Sequence, residues 1–416
     1  MNTAPAPTSY RVLIGLDWGD TQHALSLLPP EGPIERSTLQ QNPADLQRWF
    51  QQLQSRFPNT QIAVAVETTK GPLINALLTQ SFLTIYPIHP ATSARYRKAF
   101  RPSGAKDDAP DADVLLDLLR QHLAKLRPLH VEDPATRKLA GLVEARRQAV
   151  DRRTQLVNTL KNRLKGYYPL ALKLGGDDLY APLMLDLLTR WPDLLRLKAA
   201  KPATLKKFFH AHNLRRPEHV QGRLEQIAAA VPLTTDEAVL SVAVAEVEAW
   251  VEQLRVMQKH IALFEAQIAA AFQAHPEAAL FRELPGAGPA LAPRLLVAFG
   301  TDRTRFPDAS SLQKSSGIAP VREKSGTRSW IHWRWHAPKF LRQTFHEWAG
   351  QTVVWCAWAK EFYDRQKKAG KGHHAILRAL AFKWQRILWK CWQSRTPYQE
   401  HLYLASRLKQ RPATTQ

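Results

Sequence analysis

The chain has 416 residues, 44% of them hydrophobic, with a formal net charge of +22 and an isoelectric point near 10.1. That length suits two or three domains with real cores. No stretch reaches the length of a transmembrane helix, and the polar N-terminus lacks the apolar run of a secretory signal. The charge is uneven: residues 1–133 hold 13 basic and 13 acidic residues, whereas residues 134–416 hold 45 and 23. A neutral first part beside a strongly basic remainder points to chemistry in one and a polyanion held by the other. The basic residues lie dispersed over helices and not beside an apolar anchor, so nucleic acid is favoured over a membrane.

Tyr10 to Asp20 reads as a buried strand ending in an acidic turn, with His23–Leu28 as its hairpin partner. Asn42 to Phe57 has helical periodicity, with Asn42 as the cap. Gln61–Glu67 is a second buried strand, Leu73–Gln80 a helix and Phe82–His89 a further strand, followed by a loop. Strands alternating with helices imply an α/β layer.

Asp17 and Glu67 each end an apolar strand, where α/β sheets assemble their sites. A carboxylate left unpaired there is costly. The loop then carries Asp107, Asp108, Asp111 and Asp113 just before the apolar run Val114–Leu119. With a helix starting near Pro110, Asp108 and Asp111 share one face; they either cap that helix or join Asp17 and Glu67. Asp20 competes with Asp17, and Asp107 or Asp113 with the other pair. An all-oxygen cluster of this kind calls for a hard cation such as Mg²⁺.

Pro134 to Tyr168 is a long basic helix with apolar positions Leu139, Leu142, Val143, Leu156, Leu160 and Leu164, and few acids to balance its polar face. Leu170–His219 is irregularly helical. Leu240–Phe272 carries an apolar stripe (Val242, Val247, Val251, Leu254, Met257, Ile261, Phe264, Ile268) suited to a helical pair or coiled coil, within one chain or between two. Leu284-Pro-Gly286-Ala-Gly288 fits either a plain turn or a helix-hairpin-helix turn that brings backbone N–H groups to a phosphate. Ser325 lies between Lys324 and Gly326, with Arg322 and Arg328 nearby. The segment Trp330–Arg342 and the segment Phe382–Trp392 interleave aromatics with cations; their tryptophans are expected mostly in a helical core, with the flanking cations free for bases or phosphates. Cys356 and Cys391 read as reduced core residues, which fits a cytoplasmic setting.

Strand-Asp17, strand-Glu67-Thr-Thr, Lys106-Asp-Asp108-Ala-Pro-Asp111, Leu284-Pro-Gly-Ala-Gly, Gly317-Ile-Ala-Pro, Lys324-Ser325-Gly326, Pro338-Lys-Phe-Leu-Arg342 and Gly370–Arg378 follow one another in an order that resembles the DEDD-type insertion-sequence transposases, the bridge-RNA-guided recombinases. The likeness spans about residues 10 to 400. It implies an α/β plus mainly α chain: a RuvC-like RNase H-fold domain over 1–133, a basic helical and coiled-coil region over 134–275, and a mainly helical transposase domain over 276–416.

It also implies Mg²⁺ on Asp17, Glu67, Asp108 and Asp111, with Ser325 as nucleophile. The implied partners are donor and target DNA, a structured non-coding guide RNA, and further copies of the chain as dimers joining into tetramers. Lys106, Arg146, Arg147, Arg153, Gly286, Gly288, Arg322, Lys324, Arg328, Arg334, Lys339 and Arg342 are the expected nucleic-acid contacts. The rival expectations are a structure-selective endonuclease using the same carboxylates with water, and a non-catalytic nucleic-acid-binding scaffold whose acids are helix caps.

Overall fold

The computed structural model describes residues 10–100, 111–176, 178–335 and 337–409, which divide into two compact units at Val131/Glu132. In the first unit, β1 (Val12–Asp17), β2 (Gln22–Leu28), β3 (Glu35–Gln40), β4 (Ile62–Val66) and β5 (Leu83–Pro87) form a mixed sheet of order β3-β2-β1-β4-β5. β1, β4 and β5 run parallel, whereas β2 and β3 pair antiparallel. The order and directions are consistent with the RuvC-like expectation. β3 was not foreseen: it is an edge strand of Glu-Arg-Ser-Thr-Leu-Gln in which only Leu39 is buried.

Strand alternation divides the apolar residues between two faces. Val12, Ile14, Leu16, Ile62, Val64 and Val66 pack on one side with α1 (Pro43–Arg56) and α2 (Pro72–Leu77). Asn42 caps α1, its Oδ1 accepting from the Asp45 N–H at 2.9 Å. Leu13, Ala63 and Ala65 face the other side, where α4 (Asp111–His122) lays down Leu115, Leu116 and Leu119. Covering both faces is what makes β1 and β4 continuous apolar runs. Between β5 and α4, residues expected as loop form α3 (Pro90–Phe100); Ser93 is its one buried side chain, so the helix carried little apolar signal.

α4 crosses β1 at Gly15. A Cβ there would lie 2.5 Å from the Leu116 backbone nitrogen and closer still to the Ala112 carbonyl oxygen. Only glycine permits this approach.

In the second unit, α5 (Pro134–Tyr167) spans about 50 Å and is capped by Asp133, whose Oδ1 accepts from the Ala135 and Thr136 N–H groups. Short helices follow: α6 (Pro169–Gly175), α7 (Pro182–Arg190), α8 (Leu194–Ala199), α9 (Pro202–Ala211) and α10 (Pro217–Ala229). α11 (Glu237–Gln273) returns along α5. Ion pairs Arg146–Glu265 (2.6 Å) and Arg163–Glu246 (2.6 Å) show that the two run antiparallel. Val247, Val251, Leu254, Ile261 and Ile268 are buried as expected, but Val242 is 54% exposed and lies off the buried stripe.

The rest comprises α12 (Ala278–Arg282), α13 (Gly288–Phe299), α14 (Ala309–Ser315), the hairpin β6 (Val321–Ser325) and β7 (Arg328–His332), then α15 (Lys339–Trp355), α16 (Ala357–Lys368), α17 (His373–Ser394) and α18 (Glu400–Lys409). Trp348, Trp358, Trp384 and Trp392 are fully buried in this core. Their indole N–H groups donate to Pro285 O, Tyr398 Oη, Thr352 Oγ1 and Gly300 O at 2.8–3.0 Å, which removes the cost of burying them. Cys356 and Cys391 are free thiols. No described helix is long and apolar enough to cross a membrane.

Because the atoms facing Gly15 are backbone, they cannot rotate away from a new methyl. Gly15→Ala is expected to displace α4 and cost about 3 kcal/mol, the upper part of the overpacking range. Chemical denaturation followed by circular dichroism measures this; an unchanged midpoint would mean that α4 does not rest on Gly15.

Candidate metal centre and serine hairpin

Residues 13, 15 and 17 of β1 and residues 63, 65 and 67 at the end of β4 point to the α4 side of the sheet. The parallel register sets Leu16 beside Val66, so Asp17 and Glu67 emerge next to each other. α4 begins at Asp111, one residue before the Ala112 carbonyl that meets Gly15. The same close approach therefore brings Asp111 to the strand ends. Burial, then the negative charges of Asp111 and Glu67, raise the Asp17 pKa above its ordinary value, while Arg97 and His23 oppose the rise. Three of the four expected ligands thus share one electrostatic neighbourhood.

Lys106, Asp107 and Asp108 lie outside the described residues. Among the described residues, no three His, Cys, Asp or Glu side chains are close enough to hold one ion. The donor chemistry nevertheless fits a hard cation. Asp17, Glu67 and Asp111 offer only carboxylate oxygens, and their mutual repulsion is the property a divalent ion relieves.

Neighbouring side chains absent from the sequence reading hold this arrangement. Arg97 of α3 pairs with Asp111, and Ser93 Oγ donates to Glu67 Oε1. The buried His23 accepts from the Gly19 N–H through Nδ1 (3.2 Å), so Nε2 carries the proton and donates to Gln41 Oε1 (2.5 Å). The competing acids go elsewhere. Asp113 pairs with Arg36 (2.9 Å) and accepts from Ser26 Oγ, whereas Asp20 is exposed in the turn after β1. Arg97 had no sequence signal, because α3 read as loop.

In the second unit, Ser325 ends β6, exposed to solvent. Gly326, with φ +58°, opens the two-residue turn, and Ser325 pairs across the hairpin with Arg328. Alternation places Ser325, Arg328, Glu323, Trp330 and His332 on one face. The Trp330 indole donates to Glu323 Oε2 (2.9 Å). His332 donates through Nε2 to Glu323 Oε1 (2.7 Å) and through Nδ1 to the Trp333 carbonyl (2.8 Å). With both ring nitrogens facing acceptors, the site favours the imidazolium form of His332. Among the described residues, nothing hydrogen-bonds to Ser325 Oγ.

The structure sorts the expected nucleic-acid contacts. Arg147 pairs with Glu144 (2.9 Å) and Asp151 (2.7 Å), Arg146 with Glu265, and Arg153 stacks on Tyr180 at 4.2 Å. The polar face of α5 is therefore balanced by acids here, contrary to the sequence reading. Arg146 and Arg147 line a cavity of about 540 Å³ together with Arg294, and there Asp151, Glu265 and Glu347 match the three cations. Gly286 packs on Gln351 of α15 and acts in the turn, whereas Gly288 is open at the start of α13. Arg322 Nε donates to Ser329 Oγ (3.0 Å), and Lys324, Arg328 and Lys339 are exposed. Arg342 donates to the Arg334 carbonyl (3.3 Å) and stacks on Trp333, which Arg378 covers from 3.9 Å. Trp330, Trp335 and Trp355 are exposed and not core residues.

The clasp at Glu323 titrates. Its hydrogen bond with Glu323, then that to the Trp333 carbonyl, raises the His332 pKa; the hydrogen bond from His332 lowers that of Glu323. The His332 contribution is complete below its ordinary 6.5 and lost as pH rises through the raised value. The Glu323 contribution is complete above its ordinary 4.5 and lost as pH falls through the lowered value. Amide exchange over residues 321–332, corrected for intrinsic rates, should show strongest protection between pH 4.5 and 6.5 and a fall as pH rises through the raised His332 value. His332→Gln should abolish the alkaline fall; retention of that fall would contradict the clasp.

A transposase family model of the DEDD, IS110 type matches residues 14–169, from β1 through α5. A second, described as a transposase of the IS116/IS110/IS902 family, matches residues 278–364, which include the serine hairpin. The chain is 27% identical to the "Mini-circle putative transposase for IS117" of Streptomyces coelicolor, over 96% of this chain and 98% of that one. It is 27% identical to the 43.6 kDa protein of insertion element IS110 from the same organism, over 94% and 96%. To the 42 kDa protein of insertion element IS900 of Mycobacterium paratuberculosis it is 26% identical, over 79% and 81%. With both family regions present in order and relatives matched along nearly their whole length, the chain belongs to the IS116/IS110/IS902 family of insertion-element transposases.

Proposed function

We propose that the protein moves its insertion element by exchanging DNA strands through a covalent serine intermediate. A RuvC-like DEDD domain would serve it as metal-binding partner, and a structured non-coding RNA would choose donor and target by base pairing. The observation that carries the reading is the gathering of Asp17, Glu67 and Asp111 on one face of the sheet, at the ends of β1 and β4 and the start of α4. Asp108 would complete the set. These carboxylates would hold Mg²⁺, which would supply positive charge to offset the charge that develops on the phosphodiester.

The chain's own part in the reaction follows from the hairpin. Ser325 Oγ attacks phosphorus and the P–O3′ bond breaks. This leaves a free 3′-hydroxyl and a 5′-phosphoserine ester. A 3′-hydroxyl from the other duplex then attacks that ester, the Ser325–phosphorus bond breaks, and the serine proton is restored. Phosphodiester number is conserved, so no hydrolysis or external energy is required. Nothing on the described hairpin takes the serine proton, which fits a site completed by groups brought from elsewhere, such as a second copy of the chain in a dimer or tetramer. Arg328 would hold the phosphate, and other exposed cations of the second unit would track DNA and RNA backbones.

A structure-selective endonuclease would use the same acids with water as nucleophile. Ser325→Ala separates the two readings. Covalent protein–DNA adducts on denaturing gels and strand exchange should both fall by at least about 10³-fold, whereas an endonuclease would keep cutting. Glu67→Gln and Asp108→Asn should remove Mg²⁺-dependent activity while leaving nucleic-acid binding intact, and full activity in both would defeat the metal reading. Sequencing the co-purified RNA should give one discrete non-coding species; a random population would remove the guide.

A further inference from the structure

We infer that the hairpin face carrying Ser325 is a binding face for an unstacked DNA nucleotide, with Arg328 taking a phosphate and the Trp330 ring taking the neighbouring base. The inference rests on Ser325 being the group that meets DNA, and it adds the state of the DNA that this face accepts.

Three observations support it. The register sets Ser325 opposite Arg328 and Glu323 opposite Trp330, so the serine–arginine and glutamate–tryptophan pairs are successive rungs of one face. Directly opposed side chains begin about 5 Å apart, and two residues along a strand cover about 7 Å. One nucleotide bridges such a span. Next, Trp330 is 46% exposed although its indole N–H is fixed to Glu323. The edge of the ring is pinned while the rest is open, so little freedom is lost when a planar partner arrives. Finally, the charges complement a phosphate. Glu323, the one acid on the hairpin, has both oxygens engaged by Trp330 and His332. Arg328, on the same face, is exposed, and no ion pair holds it among the described residues.

Base state follows from geometry. In a duplex each base has both π-faces covered by its neighbours, so an indole fixed on a hairpin can stack only on a base already out of the stack. Strand exchange generates such bases where strands separate. The face therefore favours a locally opened strand at the attacked phosphate, a property that Ser325 alone would not confer.

The test uses the full chain carrying Ser325→Ala, which cannot form the serine ester, and a single-stranded DNA 20-mer containing 5-iodouracil. After long-wavelength irradiation, peptides bearing nucleotide are mapped by mass spectrometry. The main adduct is expected on Trp330. Trp330→Ala should lower its yield and weaken single-strand binding by about 5- to 150-fold, while Trp330→Phe should retain binding and show that the fold survives. Adducts mainly on Trp335, which is 72% exposed, would overturn the inference. So would equal yield with the fully paired duplex, or stronger labelling by the matching RNA 20-mer. Because the serine is absent, a Trp330 adduct beside a wild-type chain that never forms a Ser325 ester would sink the recombinase reading and leave the base face standing.

Discussion

The close approach of α4 to β1 at Gly15 is the constraint on which the acidic end of the first unit depends. Strand alternation places Asp17 and Glu67 on the same face as Leu13, Gly15, Ala63 and Ala65, so the surface that packs α4 also ends in acid. Gly15 lets α4 descend far enough for Asp111 to join them. A fold that places three negative charges in one neighbourhood must offset them. Here Arg97 does so in part, through its pair with Asp111, while burial, and after it the charges of Asp111 and Glu67, raise the Asp17 pKa. A divalent cation is the natural remaining offset.

The second unit meets a different demand, that of exposing a small reactive group on a defined support. An isolated two-stranded hairpin is marginal in water. This one is tied at its exposed face by the Glu323 clasp, and near its base Trp333 is held between Arg342 and Arg378. The tryptophan core beneath supplies rigidity: Trp348 and Trp358 each pack tilted against Trp384 with ring centroids 4.7–4.8 Å apart, and each of the three has its N–H satisfied. Along α5, by contrast, Arg146 and Arg163 are spent on cross-helix pairs with α11 and Arg147 on acids of α5 itself. Cations without such pairs on the hairpin, Lys324 and Arg328, are better placed to meet phosphate.

Strand-end acids were legible in the sequence because an apolar run ending in carboxylate has a two-residue period that assigns its face. The long helices were equally plain, since their apolar spacing persists over many turns. β3 and α3 escaped notice for the opposite reason: each buries a single residue, Leu39 or Ser93, and is otherwise polar. Missing α3 also hid Arg97 and Ser93, which hold Asp111 and Glu67. Tryptophan content alone does not distinguish a core ring from a surface one, so the exposed Trp330 and Trp335 read like the buried Trp384 and Trp392. The acids that neutralise Arg146 and Arg163 lie about 80 to 120 residues further along the chain, and no local charge count reveals such pairs.

The most direct measurement of the central claim is a titration of the whole protein with Mn²⁺, followed by the paramagnetic resonance signal of the free ion. If Asp17, Glu67 and Asp111 form a metal centre, the wild-type chain should deplete the free signal at one or two sites, Mg²⁺ should compete, and Asp17→Asn or Glu67→Gln should abolish the depletion while leaving the circular dichroism spectrum unchanged. Equal Mn²⁺ uptake by wild type and both variants would contradict the account, since the ion would then be held by other groups.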